Sequence, residues 1–283
     1  MPTPDAYTQL LDATISHLES LKNRGTRFVS VSPENLAALA QTPRRMAAKF
    51  GVQASACPPT PAPPSAIVIA APAPVSEAKA AAFAELRARA LVCVKCPNLA
   101  SSRKNVVFGV GSPDASLMFV GEAPGADEDQ QGEPFVGKAG QLLTKIIQTM
   151  GFSRASVYIA NILKCRPDTP GQSAGNRKPT PEEMQTCIPY LHEQIDLIQP
   201  KVIVALGATA VEGLLGKTIG ITKLRGQWRT YRNIPLMPTY HPAYLLRNQA
   251  LSEKRRVWED MLAVMEKLGA PISEKQRNFF LKP

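Results

Sequence analysis

Residues 116–129 read SLMFVGEAPGADED, an apolar run that passes without interruption into an acidic turn punctuated by glycine and proline. A short apolar run bounded by turn residues is the pattern of a strand buried on both faces. Glycine and proline beyond it let the main chain bend tightly, as it must where backbone approaches a ligand. The same texture returns in VYIAN (157–161), KVIVAL (201–206) and IPLMPT (234–239). Between these runs, residues 138–150, 180–198, 208–215 and 252–268 carry apolar positions at helical spacing, and an alanine-rich stretch over 76–91 leads into the first of them. Alternation of this kind predicts an α/β fold, a three-layer α/β/α sandwich around a mostly parallel central sheet. Ligands of such sheets bind beyond the carboxyl ends of the strands. The loops after Val120, Asn161 and Thr239 are therefore where chemistry is expected.

Upstream the sequence changes character. Leu10, Leu11, Ile15, Leu18 and Leu21 fall at helical spacing, and Ser32-Pro33-Glu34 has the form of a capped helix start. Residues 1–53 are thus expected to form a small N-terminal helical module. Residues 54–75 are rich in proline and alanine, which favours extended chain over packed structure and marks a linker. Residues 76–283 make up the main domain. No internal repeat with a fixed period is present.

Composition narrows the function classes. Of 283 residues 44% are hydrophobic, enough for a sizeable core. No window approaches the ~18 uninterrupted apolar residues of a membrane span, and the first residues lack the pattern of a secretory signal. A cytoplasmic location and no membrane partner follow as expectations. Lys and Arg total 33 against 23 acidic residues, a formal charge of +10 that favours a polyanionic partner.

Cytosolic cysteines are normally reduced, so the five present argue for thiols or metal ligands rather than disulfides. Cys93 and Cys96 form C-x2-C, with Cys165 and Cys187 far downstream; Cys57 sits in the linker. Four thiolates can hold a zinc ion or an iron–sulfur cluster, and spacing alone does not choose between them. The lesser alternative is that Cys165 and Cys187 are ordinary buried thiols.

In isolation the loop motifs are ambiguous as well. GEAPGADED (121–129) reads as an acidic surface turn, a metal loop or a ligand loop, and Phe135 within GEPFVGKAG (132–140) as a stacking platform or a core residue. Of three histidines, His241 alone lies at a strand end beside proline; His17 and His192 fall in helical patterns.

Taken together, GEAPGADED, GEPFVGKAG, NILKC (161–165), GNRKPTPEE (175–183), HPAYLLRN (241–248) and the four cysteines resemble the family 4 uracil-DNA glycosylases over about Leu91–Leu268. The resemblance implies a monofunctional enzyme of base excision repair that flips uracil out of DNA and hydrolyses its N-glycosidic bond. It also implies a [4Fe–4S] cluster held by Cys93, Cys96, Cys165 and Cys187. Glu122 corresponds to the carboxylate that orients or activates the attacking water, and His241 to the histidine facing uracil O2. Phe135 corresponds to the aromatic that stacks on the base, and Asn161 to the amide that reads its pairing edge. Glu128 corresponds to an acidic residue crowding the base near C5, in the loop that brings Gly125 and Ala126 to the uracil. Leu245, Leu246 and Arg247 are the candidates for DNA contact and for filling the vacated stack. Lys223, Arg225, Arg229, Arg232, Lys254, Arg255 and Arg256 are further candidates for phosphates.

The implied partner is uracil-containing DNA and the implied unit a monomer, with the N-terminal module free to bind a protein partner or DNA. Two features depart from the family pattern or its relatives. DTPGQSA (168–174) lengthens the Cys165–Cys187 loop, and LRGQWRTYRN (224–233) lacks the histidine of a related branch that becomes covalently trapped on DNA. Two other readings compete: a non-catalytic DNA-binding repair or replication adaptor that retains this fold, and a nucleotide-binding enzyme of unrelated reaction.

Overall fold

In the computed structural model the chain divides into two units, Met1–Ile67 and Val68–Pro283. The structure describes residues 77–167, 177–216 and 220–281, all in the second unit. The expected helical module, the linker with Cys57, and the DTPGQSA insertion with Gly175 and Asn176 lie outside the described residues.

Six strands form one sheet in the order β1-β3-β2-β4-β6-β5. They are β1 (Val110–Gly111), β2 (Leu117–Gly121), β3 (Tyr158–Asn161), β4 (Val202–Leu206), β5 (Arg229–Tyr231) and β6 (Ile234–Thr239). The four central strands run parallel, in the register Val120↔Ala160, Phe119↔Val204 and Val204↔Met237. Both edges are antiparallel, β1 against β3 and β5 against β6. The central four are those read from the sequence. The two edge strands are additions, too short and too exposed to carry an apolar signature.

Strand residues alternate between two cores. Met118, Val120, Tyr158, Ala160, Ile203 and Ala205 pack with helices α1 (Glu77–Leu91), α5 (Pro181–Ile198) and α6 (Ala208–Leu215). Leu117, Phe119, Ile159, Val202, Val204 and Met237 pack with α4 (Lys138–Thr149) and α9 (Leu251–Leu268). Helices thus cover both faces, as expected for parallel strands buried on each side. The shorter helices are α2 (Pro97–Ser102), α3 (Ala126–Gln131), α7 (Ile221–Leu224), α8 (Pro242–Arg247) and α10 (Glu274–Arg277).

Helix starts follow the sequence signals. Thr180 caps α5 by accepting from Glu183 N–H at 3.2 Å, while the Glu183 carboxylate takes the Thr180 N–H at 2.9 Å. Because β2 pairs with β3 on one side and β4 on the other, the strand order reverses there. The loops after β2, β3, β4 and β6 all leave from the carboxyl edge around that reversal, the usual place for a ligand in an open α/β sheet. Among the described residues no helix is long and apolar enough to cross a membrane.

Candidate active site and four-cysteine centre

Two loops distant in sequence meet at the carboxyl edge. β2 ends at Gly121, and a Cβ there would lie 2.5 Å from both Phe135 Cζ and Asn161 Oδ1. Only glycine lets the aromatic ring and the amide approach the strand end so closely. Asn161, the last residue of β3, is 1% exposed. Its Oδ1 is buried and has no hydrogen-bond partner among the described residues. An unpaired buried acceptor costs free energy unless a ligand supplies the donor.

Phe135 is held from several directions. Its φ is +55°, in the left-handed region that aromatic residues seldom occupy. Glu128 accepts from Gly125 N–H at 3.1 Å, Val136 N–H at 2.9 Å and Gly137 N–H at 3.0 Å. It therefore staples the loop after β2 to the segment carrying Phe135, a structural duty the sequence did not reveal. Gly125 precedes α3 as its cap and Ala126 begins that helix.

His241 precedes α8, where its Nδ1 accepts from Ala243 N–H at 3.1 Å. An Nδ1 that accepts leaves the ring proton on Nε2, so the neutral imidazole offers Nε2–H as a donor. Burial pushes the imidazole down to about 4, assisted by the Arg247 guanidinium and opposed by the Glu128 carboxylate. The ring stacks on Phe135 with centroids 5.6 Å apart. Gly207, at the end of β4 with φ +92°, leaves the room His241 needs, since a Cβ there would be 3.0 Å from His241 Cβ. Glu122 is partly buried immediately beyond β2, and its main-chain carbonyl accepts from Leu163 N–H at 3.1 Å. Catalytic candidates from both motifs therefore sit on one edge of the sheet.

The cysteines converge as well. Cys93, Cys96, Cys165 and Cys187 line a single cavity together with Leu99, Arg103, Leu163 and Thr186. Among the described residues no group of three or more His, Cys, Asp or Glu side chains closes on one ion position. Burial pushes the Cys187 thiol up to about 12 and raises Cys165 and Cys96. Two donors oppose that trend: Arg103 Nη1 reaches Cys165 Sγ at 3.1 Å and Lys164 N–H reaches Cys187 Sγ at 3.2 Å. Donors of this kind steady thiolate ligands. The side chain of Lys164 is also buried, donating to the Asn161 carbonyl at 3.0 Å and to Gln194 Oε1 at 2.7 Å. One residue thus joins the cysteine cavity to the main chain of Asn161.

Several of the DNA-contact candidates have packing or ion-pair partners within the domain. Leu245 is 5% exposed and packs with Tyr240 and Val257, whereas Leu246 is 40% exposed and Arg247 is exposed. Arg225 is ion-paired with the buried Asp260, and Arg232 with Asp196. Arg255 pairs with Glu259 and Arg256 with Glu253. The partners of Arg225 and Arg232, on α9 and α5, lie far away in sequence, whereas those of Arg255 and Arg256 are i,i+4 and i,i+3 neighbours on α9, a pairing that helical spacing makes legible.

Comparison with known proteins places the chain in a family. The sequence model of the Uracil DNA glycosylase superfamily matches residues 108–262, more than half of the chain. A type-4 uracil-DNA glycosylase of Thermotoga maritima is 47% identical over 173 residues, covering 60% of this chain and 85% of the relative. Type-4 uracil-DNA glycosylases of Sulfurisphaera tokodaii and Archaeoglobus fulgidus are each 39% identical. The first covers 70% of this chain and 89% of the relative, the second 66% and 92%.

Proposed function

The chain belongs to the uracil DNA glycosylase superfamily, and from that premise we propose that it hydrolyses the N-glycosidic bond of uracil in DNA, leaving an abasic site for repair. The observation that carries this reading is the buried, unpartnered Oδ1 of Asn161 beside Phe135. Uracil N3–H is a donor suited to that oxygen, and the amide Nδ2 is a donor suited to uracil O4. Cytosine presents the reverse pattern at both positions and leaves buried groups unpaired.

The base must leave the duplex stack, at a cost of a few kcal/mol, and regain stacking on Phe135. Leu246 and Arg247, exposed beyond His241, are the candidates to fill the gap and meet phosphate. As the C1′–N1 bond breaks, its electron pair departs with the base, and negative charge spreads over N1, O2 and O4. Nε2–H of neutral His241 donates to O2, an interaction worth more in a site poor in water. Glu122 orients a water whose oxygen bonds to C1′, and accepts its proton; the departing uracil is protonated afterwards.

The four cysteines have the donor chemistry of an iron–sulfur site, and their shared cavity with Arg103 and Lys164 beside the sulfurs fits a [4Fe–4S] cluster. When bound, such a cluster supplies a structural joint between the segment around α2, the end of β3 and α5. The unit is proposed to be a monomer, and a cytoplasmic setting suits four reduced thiols. Residues 1–75 lie outside the catalytic motifs and serve as a tether to a protein partner or DNA.

Cluster-loaded protein incubated with uracil-containing and matched thymine-containing oligonucleotides, then treated with alkali, should give scission only at uracil. Binding to both without scission would favour the adaptor reading.

A further inference from the structure

Phe135 adopts φ +55°, and a conformation of that kind persists only where the surroundings enforce it. Its neighbours act on the peptide from both polarities. Glu128 takes the N–H groups of Val136 and Gly137. From the other side Arg154, in the loop before β3, donates from Nη2 to Pro134 O at 2.8 Å and from Nη1 to Phe135 O at 3.1 Å. Nη1 also lies 3.4 Å from Thr144 Oγ1 on α4. Gly140 closes the remaining side, since a Cβ there would stand 1.9 Å from Phe135 C and O. The planar fork of a guanidinium can serve two consecutive carbonyls at once; the single ammonium of lysine cannot do so in the same geometry.

We propose that Arg154 is a positioning residue for base recognition, fixing the carbonyls of Pro134 and Phe135 so that the Phe135 ring is presented to the extruded uracil. The inference rests on the reading of this chain as a uracil glycosylase. Burial lowers the Arg154 pKa from its usual value, consistent with a cation partly withdrawn from water to hold these carbonyls. Arg154 acts through Phe135, so its contribution should vanish when the ring is absent.

The experiment is a double-mutant cycle read by single-turnover excision from a uracil oligonucleotide. Wild type, Arg154→Met, Phe135→Ala and the double variant are compared, each checked for cluster absorbance and melting temperature. Arg154→Met should slow excision about 10- to 100-fold, the scale of a small misplacement in a reacting complex. In the Phe135→Ala background the same change should cost less than about 3-fold, because residues acting as a unit are not additive. Arg154→Lys should recover part of the loss, and binding to uracil-free DNA should be unchanged. If Arg154→Met does not fold, Arg154→Lys carries the same cycle. An active wild type with unchanged excision in the Arg154 variant, or with equal losses in both backgrounds, overturns the inference alone. A wild type that releases no uracil overturns the glycosylase reading and this inference with it.

Discussion

The ring of Phe135 stacks directly on the imidazole of His241, with centroids 5.6 Å apart and planes inclined by 30°. One comes from the segment before α4 and the other from the loop after β6, so the contact joins the two motifs into one wall. At that separation the rings leave no slot for a base between them. On the proposed function, an extruded base would pack on the free part of Phe135, with Nε2–H of His241 at its edge.

That wall depends on Gly121. A methyl group there would meet Phe135 Cζ and Asn161 Oδ1, both at 2.5 Å. Gly121→Ala should cost about 1–3 kcal/mol of stability through overpacking. It should also lower single-turnover uracil excision by at least ~10-fold, since the ring and the reading amide are displaced together. Thermal melting and excision kinetics on the same preparation check both, and wild-type behaviour in both would show that the close approach is unimportant.

His241 should remain neutral through the whole physiological range. Its folded pKa is near 4 against an ordinary 6.5, so between those values the unfolded chain binds the extra proton. This group's contribution is therefore constant above about pH 6.5, and stability is lost as pH falls from there toward 4. Nitrogen-15 NMR at pH 5.5 should find neutral imidazole protonated at Nε2. An imidazole that titrates near 6.5 would contradict the buried donor.

Asn161→Asp keeps the side-chain shape but removes the donor to O4 and adds a charge that opposes the departing anion. Loss of one buried hydrogen bond costs about 1–3 kcal/mol, so excision should fall at least ~10-fold, and repulsion deepens the loss. DNA binding should persist because phosphate contacts lie elsewhere. The check is excision rate against gel-shift affinity, with unchanged excision showing that Asn161 does not read the base.

Protein purified without oxygen should be brown, with broad absorption near ~400 nm and iron with sulfide on analysis. Cys165→Ser should bleach the colour and reduce solubility, because Cys165 lies buried between the end of β3 and Arg103. Stoichiometric zinc without iron would overturn the cluster assignment.

Much of this arrangement was legible in the sequence. β2, β3, β4 and β6 are buried on both faces and so appear as continuous apolar runs, and their ends located Glu122, Asn161 and His241. β1 and β5 were missed because edge strands of two or three partly exposed residues leave no apolar pattern. The grip of Glu128 and Arg154 on the Phe135 peptide was invisible because it is made to main-chain atoms, which every residue possesses. The ion pair of Arg225 with Asp260 is likewise invisible in the sequence, because Asp260 comes from α9, far along the chain and buried. The inward packing of Leu245 is hidden for a related reason: apolar residues of a short helix do not announce which side packs inward.

On the proposed function, this chain cuts the bond between uracil and deoxyribose by hydrolysis and does nothing further to the strand. Mass spectrometry of an intact uracil-containing oligonucleotide after incubation with cluster-loaded protein measures this directly. The strand should lose one uracil and gain one water, without scission before alkali, while free uracil appears in equal amount and matched thymine and cytosine strands keep their mass. A uracil strand of unchanged mass, or one already cleaved at the uracil site, would contradict simple hydrolysis of the glycosidic bond.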